Sequence, residues 1–350
     1  MFAPITYFAD DILIERRRFL PSPARILVRK GQEVSAIDPV VENTRVNKHQ
    51  VLDVARGLGV STGASHKFII CQVGDQVSEG DILAGPVGLT KRVVRSLHAG
   101  TVVYMGRGKV LLELSGSPVQ KVAGLPGKIV DLVHERGAIV QVRGALIQAV
   151  WGNGKIGQGS LVVGSGDKPG ELNLQAVKSA AEGNVVVGGA CIDESVLQAA
   201  EEINLGGLVL GSLHPSLYEK VMQVAYPVLL IEGFGKYPIN HIAGKILSAH
   251  VGEIVAVNAE PWNKFSPNRP ELVIPAAISE EPSPVRKMEL FAPGNLVREV
   301  GCSDLGKAGK LVELVGTTSL ANGLKVDAAS VQFENGELVN IPLSNLELIC

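Results

Sequence analysis

The feature that most constrains the fold is an internal repeat. Gly31-Gln32-Glu33-Val34-Ser35-Ala36-Ile37-Asp38 aligns with Gly74-Asp75-Gln76-Val77-Ser78-Glu79-Gly80-Asp81, and each runs on into an apolar stretch. Both copies read Gly, a polar residue, one free position, Val-Ser, two residues and Asp. An apolar stretch precedes each copy, at residues 25–29 and 68–73. Glycine accepts the positive φ of a tight turn, and Val on either side of polar residues fits short strands. Each copy therefore predicts strand, turn, short strand, second turn and strand. The second copy is followed by Gly100-Thr101-Val102 and by the apolar residues 110–114, two further strands. Closure of the two copies on each other predicts a flattened, pseudo-symmetric barrel.

Composition agrees with many short strands. Hydrophobic residues are 46% of the chain but aromatics only 4%, and 40 of the 350 residues are glycine. A charged fraction of 19% argues against global disorder. Lys and Arg number 33 against 35 Asp and Glu, a net charge of −2, so no charge excess marks nucleic acid or an acidic membrane as partner. Cys71, Cys191, Cys302 and Cys350 stand far apart, which excludes a local zinc or iron–sulfur motif and a disulfide framework. Arg16-Arg17-Arg18 is followed by no apolar stretch of signal-peptide type, and no apolar run reaches the roughly 20 residues that span a bilayer. The expectation is a cytoplasmic protein without direct membrane insertion.

The arrangement at 74–84 and Gly100-Thr101-Val102 resembles the barrel-sandwich hybrid of biotinyl and lipoyl carrier domains. Their order is Gly-Asp-x-Val-x-x-Gly-x-x-Leu-Ala, then Gly-Thr-Val. The unmodified version in the C subunit of Rnf-type electron-transport complexes is similar too. The resemblance covers roughly residues 20–115. It implies a lysine at a hairpin tip, for which Lys91 is the positional candidate. Lys91 lacks the Met or Asp neighbours of a modified lysine, and it lies close to Gly100. The cluster cysteines of the Rnf subunit have no counterpart. No cofactor is therefore expected.

Residues 119–166 predict a strand-rich bridging segment, with Trp151-Gly152-Asn153-Gly154 as a hairpin turn. From 167 to 260 the pattern becomes alternating strand and helix. Strands are expected at 184–187, 207–210, 228–231 and 253–258, and helices at 193–203, 215–224 and 239–249. Asp193 is the N-cap of the first helix and Pro215 opens the second. Such alternation predicts a small Rossmann-like parallel α/β domain. Residues 261–288 hold six prolines and predict an extended linker, with a short strand at Leu272–Ile274 as its one interruption. Residues 289–350 are strand-rich. Pro293-Gly294-x-x-Val297-Arg298 followed by Gly306-x-x-Gly309-x-x-Val312 resembles the KOW motif of SH3-like barrels in NusG-like and ribosomal proteins. That resemblance implies a small C-terminal barrel. Mixed charge around it argues against nucleic acid as a partner. The whole predicts a multidomain, β-rich plus α/β chain.

In parallel sheets ligands bind beyond the carboxyl ends of strands. Three such loops are expected to converge. They carry Gly188, Gly189 and Asp193, then Gly211, Ser212 and His214, then Glu232, Gly233, Gly235 and Lys236. Backbone amides, a Glu232–Lys236 pair and the Ser212 and His214 side chains could cradle a small anionic ligand. Neither a GxGxxG after the first strand nor a phosphate-binding GxxxxGK[ST] occurs. Every module resembles one of known chemistry and lacks the residue that chemistry needs. The expected function is a non-catalytic adaptor for other proteins. A ligand-binding or enzymatic protein and a ribosome- or transcription-associated factor are the alternatives.

Overall fold

A computed structural model describes residues 3–43, 49–114, 119–164, 170–263, 268–276, 289–300, 307–320 and 322–350. The chain is β-rich with several sheets, and among the described residues no sheet closes into a barrel.

The two repeat copies share one hydrogen-bond frame but do not close on each other. The Asp38 carboxylate accepts from the Ser35 N–H at 2.8 Å, and Asp81 accepts from Ser78 at 2.7 Å. The Gly31 N–H donates to the Ile129 carbonyl and the Gly74 N–H to the Val102 carbonyl, both at 2.7 Å. Val34 pairs with Gly127 as Val77 pairs with Gly100. At both glycines a Cβ would fall within 2.6 Å of a carbonyl oxygen across the hairpin, Gln141 or Glu113. The copies are thus two complete units, nested one inside the other. The strand Pro39–Asn43 of the first unit pairs with Val119–Val122, and the whole second unit, 49–114, lies between them. In the second unit the same hairpin, Ile82–Val87 with Arg92–Arg95, turns simply through 88–91. Residues 119–133, expected in a bridging sheet, therefore complete the first unit. Each unit has its own core: Val40, Leu125, Ile129 and Val140 in the first; Leu52, Leu83, Val102 and Leu112 in the second.

Four parallel strands follow in chain order across the largest sheet: Ile156–Val163, Val185–Cys191, Gly207–Leu213 and Val228–Phe234. Val, Leu and Ile point to both faces and are buried on both, as a covered parallel sheet requires. The helices Leu174–Lys178, Glu194–Glu202 and Tyr218–Gln223 cover one face, and His241–Ala249 covers the other. Ile254–Asn258 returns antiparallel beside the first of these strands. Next in the sheet come Glu271–Pro275 and Gly137–Gln148, the latter paired along its other side with the strand Phe8–Phe19. Leu272, Val273 and Ile274 are fully buried, so the short strand expected within the linker is a core strand of this sheet. The remaining prolines of that stretch lie largely outside the described residues. The expected hairpin turn Trp151-Gly152-Asn153-Gly154 is not formed: Trp151–Gly152 is a short strand, and the chain bends after it at Gly154, φ +87. The strands on either side, Gly137–Gln148 and Ile156–Val163, do not pair with each other, and Trp151–Gly152 pairs with Val228–Phe234.

The last unit is an open six-stranded sheet in place of the expected barrel. Its order is Ile5–Thr6, Leu346–Ile349, Leu296–Glu299, Ala308–Ser319, Lys325–Phe333 and Leu338–Pro342. The first strand of the chain lies parallel to the last, with Ile5 opposite Leu348. No helix among the described residues is long and apolar enough to cross a membrane.

Candidate functional site

The three strand ends come together on one edge, but their residues are occupied by the chain itself. Gly188 and Gly189 lie inside the strand Val185–Cys191, Gly211 and Ser212 inside Gly207–Leu213, and Glu232 and Gly233 inside Val228–Phe234, none of them in a loop. A Cβ on Gly189 would sit 2.0 Å from the Gly170 carbonyl oxygen, and one on Gly188 would meet the Leu172 side chain. The glycines admit the segment 170–172, whose Glu171 bridges to Ala190. Gly211 does the same for 237–239: a Cβ there would lie 2.6 Å from the Ile239 nitrogen. The Ser212 hydroxyl is fully buried, donates to the Tyr237 carbonyl at 2.9 Å and accepts from the Tyr237 N–H at 2.7 Å. It holds a loop in place.

The charged residues divide in the same way. Glu232 is buried and does not pair with Lys236. Its carboxylate accepts from the Asn240 backbone and side-chain amides at 3.2 and 2.5 Å, and faces the Arg298 guanidinium at 3.4 Å. Asn240 in turn caps the helix His241–Ala249 through the Ala243 N–H. Lys236 is exposed. Gly233 and Gly235 have φ of +110 and +144, which carries the chain out of the strand toward Tyr237. Asp193 caps its helix as expected, accepting from the Ser195 N–H at 2.9 Å, and that bond lowers its carboxyl below the usual range.

No nucleophile–base pair forms here. His214 Nδ1 stands 2.7 Å from the Ser216 hydroxyl and serves as the cap of the short helix Pro215–Leu217. The Cys191 thiol points into the core, contacts the Asp193 carbonyl, and burial pushes its pKa up to about 12. A thiol of that pKa supplies essentially no thiolate near neutrality. Among the described residues no group of three or more His, Cys, Asp or Glu could hold a metal ion.

Two features beside this edge escape sequence reasoning. One is an aromatic cluster in which Phe234 lies 5.3 Å from Trp151 and 5.9 Å from Tyr218, ring centre to ring centre. With aromatics at 4% of the chain, three of them flanking these loops is the signal that could have shown it. The other is a buried polar junction. Arg298 donates to the Ile231 carbonyl at 3.2 Å, while Arg269 donates to the Ile5 carbonyl at 3.0 Å and to the Thr6 hydroxyl at 3.1 Å. It welds the last sheet and the first strand to the parallel sheet.

Searches for similar proteins found no matching family model and no matching curated protein.

Proposed function

We propose that this chain is a non-catalytic multidomain adaptor that binds other proteins. The two nested units are taken as barrel-sandwich hybrids without a modified lysine. The parallel layer is taken as a Rossmann-like domain without a nucleotide motif, and the last sheet as a KOW-like, SH3-like module. The observation that carries the reading is the occupancy of the strand ends. Ser212, Glu232 and the glycines are spent on the chain's own segments 170–172 and 237–240.

The surface beside that edge supports it as well. Exposed aromatic and methionine side chains match protein contact: Tyr218, its ring 6.0 Å from that of Trp151, and Met222 are each nearly half exposed. The test is gentle purification from the native source with nuclease treatment, followed by native mass spectrometry. A protein partner is expected. A tightly held small anion with no protein partner would replace this reading with a ligand-binding one.

A further inference from the structure

The inserted unit stands apart from the rest of the molecule. Among the described residues, no hydrogen bond or ion pair joins 49–114 to any other part of the chain, and its core contains only its own side chains. It carries seven Lys and Arg against five Asp and Glu, whereas the remainder of the chain has 26 against 30.

Those charges are sorted to opposite ends, Arg95 excepted, which donates to the Gly80 carbonyl at 2.8 Å between Glu79 and Asp81. The chain enters the unit at His49 and leaves it at Leu114. His49 pairs with Glu113, Glu113 with Thr101, and Thr101 with Gln76, so these strand ends lie side by side. Asp75 and Glu79 flank this end. The strands His49–Asp53 and Lys109–Leu114 run from there to the far end, about 16 Å away at the rise of a β-strand. At the far end the short helix Val54–Leu58 ties three segments together. Its Ala55 N–H donates to the Gly108 carbonyl at 3.0 Å, and Arg92 packs on its C-cap Gly59. Arg56, Lys67, Lys91, Arg92, Arg107 and Lys109 gather here, all exposed and none in an ion pair among the described residues. Asp53 is the single acid at this end. Between them projects the turn 88–91, with Leu89 at 105% relative exposure.

We infer that the far end of the inserted unit is a docking site for an acidic segment of a partner protein, with Leu89 as the apolar anchor. The inference rests on the adaptor reading and names the chemistry of the partner. Six cations around one leucine complement a short run of carboxylates that carries an apolar side chain to meet Leu89, and opposite charges steer such an encounter. A membrane surface is the poorer fit: interfacial binding uses an amphipathic face or several apolar residues, and this turn offers one. A long polyanion is poorer still, because it would run on to the acidic end of the same unit. The position of the unit supports presentation. It grows from the hairpin of the first unit, with its basic end turned away from the attachment.

The test uses the full chain and a fluorescein-labelled peptide of Glu and Asp around a central Leu, read by anisotropy at low and raised salt. The same peptide with Lys for Glu, an oligouridylate, and phosphatidylserine–phosphatidylcholine vesicles are run beside it. The acidic peptide is expected to bind, to weaken with salt, and to bind roughly tenfold or more weakly to Arg56→Glu/Arg92→Glu and to Leu89→Ala. Leu89 is fully exposed, so its variant keeps the test valid if the double variant fails to fold. Glu79→Lys, at the attached end, should bind as the parent does. No binding at low salt, equal binding by the variants, or tighter binding of the oligonucleotide or vesicles overturns the inference. Native mass spectrometry of the same variants separates the two claims. A protein partner retained by Arg56→Glu/Arg92→Glu and by Leu89→Ala leaves the adaptor standing and removes this docking site. The absence of any protein partner removes the adaptor.

Discussion

The Nη2 atom of Arg298 lies 3.0 Å from the Glu347 carboxylate, and both side chains are buried between the last sheet and the parallel sheet. Arg298 also reaches Glu232, and Glu347 accepts from the Thr6 hydroxyl, so residues from four distant parts of the sequence meet at one point. Two cations, Arg298 and Arg269, face two carboxylates, Glu347 and Glu232. A balanced cluster of this kind tolerates burial only while every member is present.

Arg298→Ala should therefore cost about 3–5 kcal/mol, because it strands Glu347 and Glu232 without their shared partner. Denaturant unfolding measures the loss. A cost below about 1 kcal/mol, the range of exposed pairs, would mean the junction is open to water.

The same junction predicts acid lability. Burial alone would raise the Glu347 carboxyl, but the guanidiniums of Arg298 and Arg269 and the bonds from Thr6 and Arg298 hold it below its ordinary 4.5. A depressed folded-state pKa contributes stability that is complete above the ordinary value and is lost as pH falls through the folded one. Unfolding followed from neutral pH down past 4.5 should show that loss, and Glu347→Gln should flatten the acid limb while lowering stability at neutral pH. An unchanged acid limb in the variant would exclude Glu347 as its source.

Which parts of this were legible in the sequence follows from how local their causes are. The Asp193 cap bonds an N–H two residues on, and it reads directly from the sequence. The repeat is equally plain, since Ser35–Asp38 and Ser78–Asp81 each make their turn within four residues. The nesting is not legible, because Val34 pairs with Gly127 across the entire second unit. Gly188 and Gly189 look like a ligand loop because their reason is tertiary: the segment from Gly170 crosses them. Glu232 suggests a partner four residues away, whereas its partner Arg298 is 66 residues away.

Nesting makes a separable stability prediction. Gly100→Ala and Gly127→Ala each drive a Cβ onto a carbonyl oxygen, at 2.5 and 2.4 Å respectively. Each should cost about 1–3 kcal/mol, the usual range for overpacking. Gly100→Ala should raise hydrogen exchange in 49–114 alone, and Gly127→Ala should spare that stretch. Exchange that rises throughout the chain in both variants would contradict the independence of the inserted unit.

The strand-end edge should behave as structure. Ser212→Ala leaves the Tyr237 N–H unpaired and should cost about 1–3 kcal/mol, whereas Lys236→Ala should change stability by less than about 0.5 kcal/mol. Cys191, with its pKa near 12, should resist iodoacetamide in the folded protein and react once it is unfolded. Rapid alkylation of Cys191 under native conditions would show an accessible, activated thiol and reopen the case for chemistry at this edge.

The central claim, that the chain assembles other proteins and does not turn over a substrate, is tested most directly by its mass in the native state. After gentle purification with nuclease treatment, native mass spectrometry should show the 36.9 kDa chain carrying one or more protein partners. A chain that carries only a small, tightly bound molecule would contradict the adaptor and direct attention to that molecule as a ligand or substrate.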